Sequence, residues 1–230
     1  ESWRYSALTG LASLDPAAGE VAAMALPELA GLSGTLVELR RGGYSLPAVQ
    51  PAGVAVTVGA GSARDRELTE RAKARGQSPL TKGAAPAQAF GWLADGRVTE
   101  ILDIEVSAPV SGIWRLALQH DTLGFTQSRA HIRVRSGASI TLVEHLFGGD
   151  DASGLSNRLL DIELDSGASL TLVRVQESGA KAHSIQRTTA RIAAGAHLEV
   201  VSLELGGLWS RHELAIDLVG AQADVRVTGL

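Results

Sequence analysis

The stretch IRVRSGASITL at residues 132–142 returns thirty residues later as IELDSGASLTL at residues 162–172. A third version, ARIAAGAHLEV, occupies residues 190–200, and a further Gly-Ala pair stands at residues 220–221. In the first three versions, apolar residues recur three and five positions before the glycine and three and five positions after it. Because neighbouring side chains of a strand point to opposite faces, this pattern predicts two short strands joined by a tight Gly-Ala corner.

The recurrence of this unit indicates how the units pack together. The glycines Gly137, Gly167, Gly195 and Gly220 are separated by 30, 28 and 25 residues. One unit cannot bury its apolar face alone, whereas stacked units cover one another. We therefore predict an all-β fold, a β-solenoid with an aliphatic interior, and the 4% content of aromatic residues fits such a narrow core. A β-sandwich of hairpins would show similar alternation, but the recurring corner favours the solenoid.

The chain before residue 97 is less regular than the repeats that follow it. Residues 34–39 and 54–58 alternate as strands do. A charged stretch and then a small, polar one predict a short helical insertion near residues 62–93. We expect a single domain in which residues 1–96 form an N-terminal part with strands and this insertion, and residues 97–230 form the β-helix repeats.

Composition excludes several classes of function. The net charge is −4, so the chain as a whole has no electrostatic attraction for nucleic acid or anionic lipid. The sequence has no cysteine, which excludes disulfides, thiolate metal sites and a cysteine nucleophile within it and fits a reducing compartment. No apolar run is long enough to cross a bilayer. We therefore expect neither a nucleic acid nor a membrane as partner.

Several segments around the repeats carry a resemblance to a known family. They read WRY at residues 3–5, FTQSR at 125–129, IRV at 132–134, GASITLVEH at 137–145, GG at 206–207, RHEL at 211–214 and LVGA at 218–221. In this order they resemble the SufB/SufD family of iron–sulfur cluster assembly proteins. The similarity covers most of the chain and is densest after residue 100, although no single segment is a catalytic signature.

The resemblance implies a fold and a role. The fold is a right-handed parallel β-helix, and the role lies in the SUF system, which builds iron–sulfur clusters. In that family a SufB-like and a SufD-like subunit pair through their β-helices, and a helical C-terminal domain recruits the SufC ATPase. The chain is more similar to SufD, because SufB-like subunits carry cysteines. It would then be a cytoplasmic core fragment without the flanking helical domains of the full-length protein.

The resemblance also implies what the chain binds. A scaffold subunit is not an enzyme and needs no cofactor of its own, while iron or an iron–sulfur cluster is held transiently in the complex. The family's metal candidate on the SufD side would lie beyond Leu230.

Within the sequence, His145 and its neighbour Glu144 are the candidates for binding metal. His145 stands eight residues after Gly137, where the next two repeats have Val175 and Leu203. Imidazole and carboxylate groups both suit iron. The alternative is a histidine that is hydrogen-bonded in the interior or at an edge and has no ligand role. His131 has no second ligand close to it in the sequence.

Three residues near the end of the chain are candidates for an interface: Trp209, Arg211 and His212. Tryptophan and arginine are enriched where binding energy concentrates in protein interfaces. The alternative is a solvated loop that leads into the next strand. Because an open solenoid end exposes strand edges, we expect the isolated chain to form a homodimer.

A carbohydrate-active β-helix enzyme, such as a polysaccharide lyase or hydrolase, is the alternative function. Such enzymes need acids and bases clustered on one face of the solenoid, and the sequence shows no such cluster. A hexapeptide-repeat acyltransferase would need a period of six residues, far shorter than the recurrence found here.

Overall fold

The computed structural model describes residues 24–40, 43–59, 100–120 and 124–230, in which all regular structure is β-strand. No helix that could span a membrane occurs in these ranges. The helical insertion expected near residues 62–93 lies outside them. The strands are β1 (Gly34–Arg40), β2 (Gly43–Ser45), β3 (Val54–Gly59), β4 (Ile101–Val106), β5 (Ile113–Gln119), β6 (Phe125–Val134), β7 (Ser139–Phe147), β8 (Leu155–Leu164), β9 (Ser169–Glu177), β10 (His183–Ile192), β11 (His197–Glu204), β12 (Trp209–Leu218) and β13 (Asp224–Gly229).

The strands form two sheets that the chain visits in turn. The seven-stranded sheet A has the order β13-β11-β9-β7-β5-β1-β2, and the six-stranded sheet B has the order β12-β10-β8-β6-β4-β3. From β4 onward each strand pairs in parallel with the strand two places further along the chain. A strand of sheet B and the following strand of sheet A make one coil, and the coils stack. This confirms the predicted β-solenoid.

The corners between β6 and β7, β8 and β9, and β10 and β11 are the predicted Gly-Ala corners. Gly137, Gly167 and Gly195 have φ of 71°, 67° and 64°, a left-handed conformation that favours glycine. The fourth corner differs from its prediction, because Gln222 has this conformation with φ of 58°. Val225 rather than Ala223 pairs with Leu198, so the corner lies two residues beyond Gly220.

The half of the interior next to the corners is aliphatic. Residues at equal positions of successive strands lie side by side and exclude water from one continuous column. Burying each large aliphatic side chain contributes roughly 1.5–3 kcal/mol before entropy is counted. The main ladders are Ile104, Ile132, Ile162, Ala190 and Ile216 in sheet B, and Trp114, Leu142, Leu172, Val200 and Val227 in sheet A.

The two ends of the solenoid differ. At the N-terminal end, β2 and β3 pair antiparallel with β1 and β4 and are the edge strands of the two sheets. At the other end, β12 and β13 have no neighbour on their far side among the described residues. Their inward residues Leu218 and Val227 are 56% and 51% exposed. The described solenoid thus ends in open strand edges and an uncovered section of core.

Candidate functional site

Away from the corners, the interior of the solenoid becomes polar. Leu116 of β5 is followed at the same position of β7, β9 and β11 by Glu144, Arg174 and Ser202. Opposite them in sheet B, Ser128, Arg158, Gln186 and His212 share one position. We call the following set the polar interior: Glu144, Arg158, Arg174, Gln186, Ser202, Glu204 and His212.

Glu144 is the centre of this set and is fully buried. Its Oε1 lies 2.5 Å from Nε of Arg158, and its Oε2 lies 3.8 Å from Nε of Arg174. Gln186 Nε2 donates a hydrogen bond of 2.7 Å to Oε2. Burial alone would raise the pKa of Glu144, but the charges of Arg158 and Arg174 hold it below the usual value. Glu144 is therefore a carboxylate at neutral pH.

Arg174 connects Glu144 to the open end of the solenoid. Its Nε donates to Gln186 Oε1 at 2.9 Å, and its Nη1 forms an ion pair with Glu204. Burial lowers the pKa of Arg174 while Glu144 opposes this change. A guanidinium still keeps its charge at physiological pH. Two arginines thus face two carboxylates, the balance that buried charges require.

His212 lies inside the solenoid and stays neutral at physiological pH. Its Nε2 is 2.9 Å from Thr188 Oγ1, and its Nδ1 is 3.2 Å from Ser202 Oγ. Burial, together with the charge of Arg174, lowers the pKa of His212 to about 4. Hydroxyl groups suit this neutral ring because they can both donate and accept.

The three interface candidates are divided between the two faces of β12. Trp209 and Arg211 share the outer face, where Arg211 Nε lies 2.6 Å from Glu213 Oε1. His212 belongs to the polar interior. Trp209 and Arg211 of this edge strand therefore face outward. A partner could reach His212 only from the end of the solenoid where the core is uncovered.

The two metal candidates also lie on opposite faces of one strand. His145 is on the outer face of sheet A, in a ladder with Val175 and Leu203, whereas Glu144 points inward. Nε2 of His145 is 2.6 Å from Oε1 of Glu177, and its ring packs 5.2 Å from that of Phe147. Burial lowers the pKa of His145, against the opposing effect of Glu177. Adjacent strand positions therefore keep Glu144 and His145 from sharing one ion.

The part of the chain that the structure describes holds no ready-made cluster of metal ligands. No group of three or more histidine, cysteine, aspartate or glutamate side chains converges there as metal ligands do. Nδ1 of His145 has no hydrogen-bond partner in the same ranges.

Sequence reasoning missed the polar interior and the surroundings of His131. Asp103 and Asp161 flank His131 on neighbouring strands. A signal was present, because His131 and Asp161 both stand six residues before a corner glycine. Likewise Glu144 and Arg174 both stand seven residues after one, on the same face as the aliphatic ladders.

A comparison with known families matches the solenoid. Residues 117–230 match the family model described as SUF system FeS cluster assembly, SufBD core domain. The matched residues begin within β5 and include every coil from β6 to β13. A search of curated proteins found no match.

Proposed function

We propose that this chain, whose residues 117–230 match the SufBD core domain, is a SufD-like scaffold subunit of the SufB/SufD family. In this proposal it pairs with a SufB-like subunit in the cytoplasm, and the pair recruits a SufC-like ATPase. The observation that carries the proposal is a family core domain folded as a parallel β-solenoid. The strand edges of such a solenoid suit pairing with another β-solenoid.

Composition supports the SufD-like assignment over a SufB-like one. The chain has no cysteine in 230 residues. Thiolates are the ligands that iron–sulfur clusters use and the groups that carry sulfur as persulfide. A chain without thiols therefore depends on a partner to supply them, as a second subunit of the complex would.

The polar interior supports a scaffold rather than an enzyme. Glu144, Arg158 and Arg174 are buried against one another, so their charges are engaged in the protein itself. Such pairing fixes the relative positions of neighbouring coils. No observation on the described residues favours the carbohydrate-active alternative.

His145 is our candidate for contact with transient iron. Its Nε2 faces the carboxylate of Glu177, and a metal-bound imidazole commonly makes such a contact with its second nitrogen. The side chain of His145 is 0% exposed, so iron and ligands from the partner subunit would reach its Nδ1 only after the residues that cover it move. Replacing His145 by alanine should then reduce the iron that co-purifies with the whole complex, and unchanged iron content would remove this role.

The main test is co-expression of the full-length protein with the SufB-like and SufC-like subunits of the same genome. We expect all three to co-elute through purification by a tag on this chain. Iron and sulfide should appear in the complex but not in this subunit alone. If neither partner is retained at any salt concentration, the scaffold assignment fails.

A further inference from the structure

The outer face of sheet B holds a buried histidine between two aspartates. His131 of β6 lies beside Asp103 of β4 on one side and Asp161 of β8 on the other. Nδ1 is 3.1 Å from Asp103 Oδ1, and Nε2 is 3.4 Å from Asp161 Oδ2. The imidazole is 1% exposed, while the two carboxylates are 16% and 25% exposed. One side chain thus contacts three successive coils.

The geometry specifies the protonation state of this imidazole. An ionised carboxylate only accepts hydrogen bonds, and a neutral imidazole carries only one N–H. In the neutral ring, one nitrogen would direct its lone pair at an aspartate oxygen from a buried position. The imidazolium donates through Nδ1 to Asp103 and directs its positively charged Nε2 edge toward Asp161, so it is the form that these two carboxylates favour.

The other charged and polar groups around Asp103, His131 and Asp161 leave this conclusion unchanged. Arg129, two residues earlier on β6, lies 3.3 Å from Asp161 and opposes a second positive charge. Thr189 of β10 donates its hydroxyl to the same carboxylate. Arg133, two residues later on β6, turns instead to Asp165 at 3.2 Å.

The charges of the column agree with its geometry. Burial lowers the pKa of His131, but contacts with Asp103 and Asp161 outweigh it and raise the pKa above the usual value. Burial would raise the pKa of Asp161, but His131 and Arg129 hold it below the usual value. The charged forms of His131 and Asp161 therefore stabilise each other.

We propose that Asp103, His131 and Asp161 form a pH-sensitive clasp that ties three successive coils together and opens when the imidazole loses its proton. The sign follows from linkage. A histidine whose pKa is raised by folding contributes its full stability below the unfolded pKa of about 6.5. That contribution is lost as pH rises through the folded pKa. A rise in pH through the folded pKa of His131 therefore loosens sheet B between β4 and β8, while the aliphatic ladders keep the solenoid together.

The direct test is an NMR titration of the six histidine rings in the full chain, with His131 assigned by its absence in a His131→Gln variant. We expect the His131 ring to titrate above the ordinary value of about 6.5. Titration at or below that value overturns the proposal. If His131→Gln does not fold, Asp103→Asn serves instead. It should move one histidine titration to lower pH, and an unmoved set of titrations overturns the proposal as well.

Stability measurements provide the second readout. Urea unfolding of both proteins between pH 5.5 and 9 gives the folding equilibrium constant of the wild type divided by that of His131→Gln. This ratio should fall as pH rises, by up to about tenfold per pH unit. The matched control is His197→Gln, because His197 also contacts an aspartate, at 2.7 Å, but is 36% exposed. A flat ratio for His131→Gln, or an equal fall for His197→Gln, overturns the proposal.

Discussion

Glu144 Oε1 lies 2.5 Å from Arg158 Nε at a position inside the solenoid where the preceding coil has Leu116. The same ladder thus passes from an aliphatic side chain to a buried charge within one step. This ion pair bridges the two sheets, because Glu144 belongs to β7 in sheet A and Arg158 to β8 in sheet B.

Replacing Glu144 by glutamine should destabilise the fold strongly. The amide would leave Arg158 and Arg174 buried without the carboxylate, and loss of one partner of a buried pair costs about 3–5 kcal/mol. The free energy of unfolding in urea measures the change. Glu38→Gln is the control, because Glu38 pairs with Arg40 at 29% exposure and should lose less than about 1 kcal/mol. Equal losses for both variants would show that the polar interior is not a structural network.

The fourth corner offers a stabilising change. Gln222 has φ of 58°, so Gln222→Gly should relieve backbone strain and stabilise the fold by up to about 1 kcal/mol. The reciprocal variant Gly195→Gln places a side chain at φ of 64° and should cost about 1–2 kcal/mol. Thermal unfolding of both proteins compares them directly. Destabilisation of similar size in both would contradict the corner assignment.

The end formed by β12 and β13 should mediate association of the isolated 230-residue chain. Val227→Lys introduces a charge into apolar core that is 51% exposed at this end. We expect it to abolish the homodimer, measured by light scattering. Val49→Lys, at a valine that is 80% exposed on the N-terminal side, should leave the homodimer unchanged. A folded Val227→Lys protein that remains dimeric would place the interface elsewhere.

His212 should make the fold sensitive to acid. Its pKa of about 4 in the folded protein lies below the unfolded value, so the unfolded state binds the proton first as pH falls. Between about pH 6.5 and 4, stability should decrease by up to about 1.4 kcal/mol per pH unit from this group. His212→Gln should remove that slope in urea unfolding, whereas His197→Gln should retain it. The same slope in wild type and His212→Gln would contradict a buried neutral ring.

The elements that could be predicted from sequence are those specified by neighbouring residues. Gly137 and the alternating apolar residues around it determine a corner and two strands locally, so the solenoid followed from them. Position also determines faces, and Glu144 occupies the inward parity of Ile140 and Leu142. A charged residue is not expected in the interior unless a partner such as Arg158 lies opposite, and only the packing of one sheet against the other places Arg158 there.

The remaining misses have the same origin. The fourth corner was predicted at Gly220 because glycine is the usual residue at positive φ. In the structure Gln222 adopts that conformation. A glycine is still required at 220, since a Cβ there would lie 2.1 Å from the backbone nitrogen of Ala194. His131 meets aspartates that are 28 and 30 residues away, a distance at which sequence alone gives no pairing.

Because each coil packs only against its two neighbours, we expect the coils to unfold one after another along the axis of the solenoid. Unzipping that begins at β13 first releases Glu204, Ser202 and His212, groups that water readily solvates. It slows progressively toward the coil of Leu116, whose inward side chains are apolar. The rate of backbone amide hydrogen exchange should therefore decrease steadily from the carboxyl-terminal coil to β5.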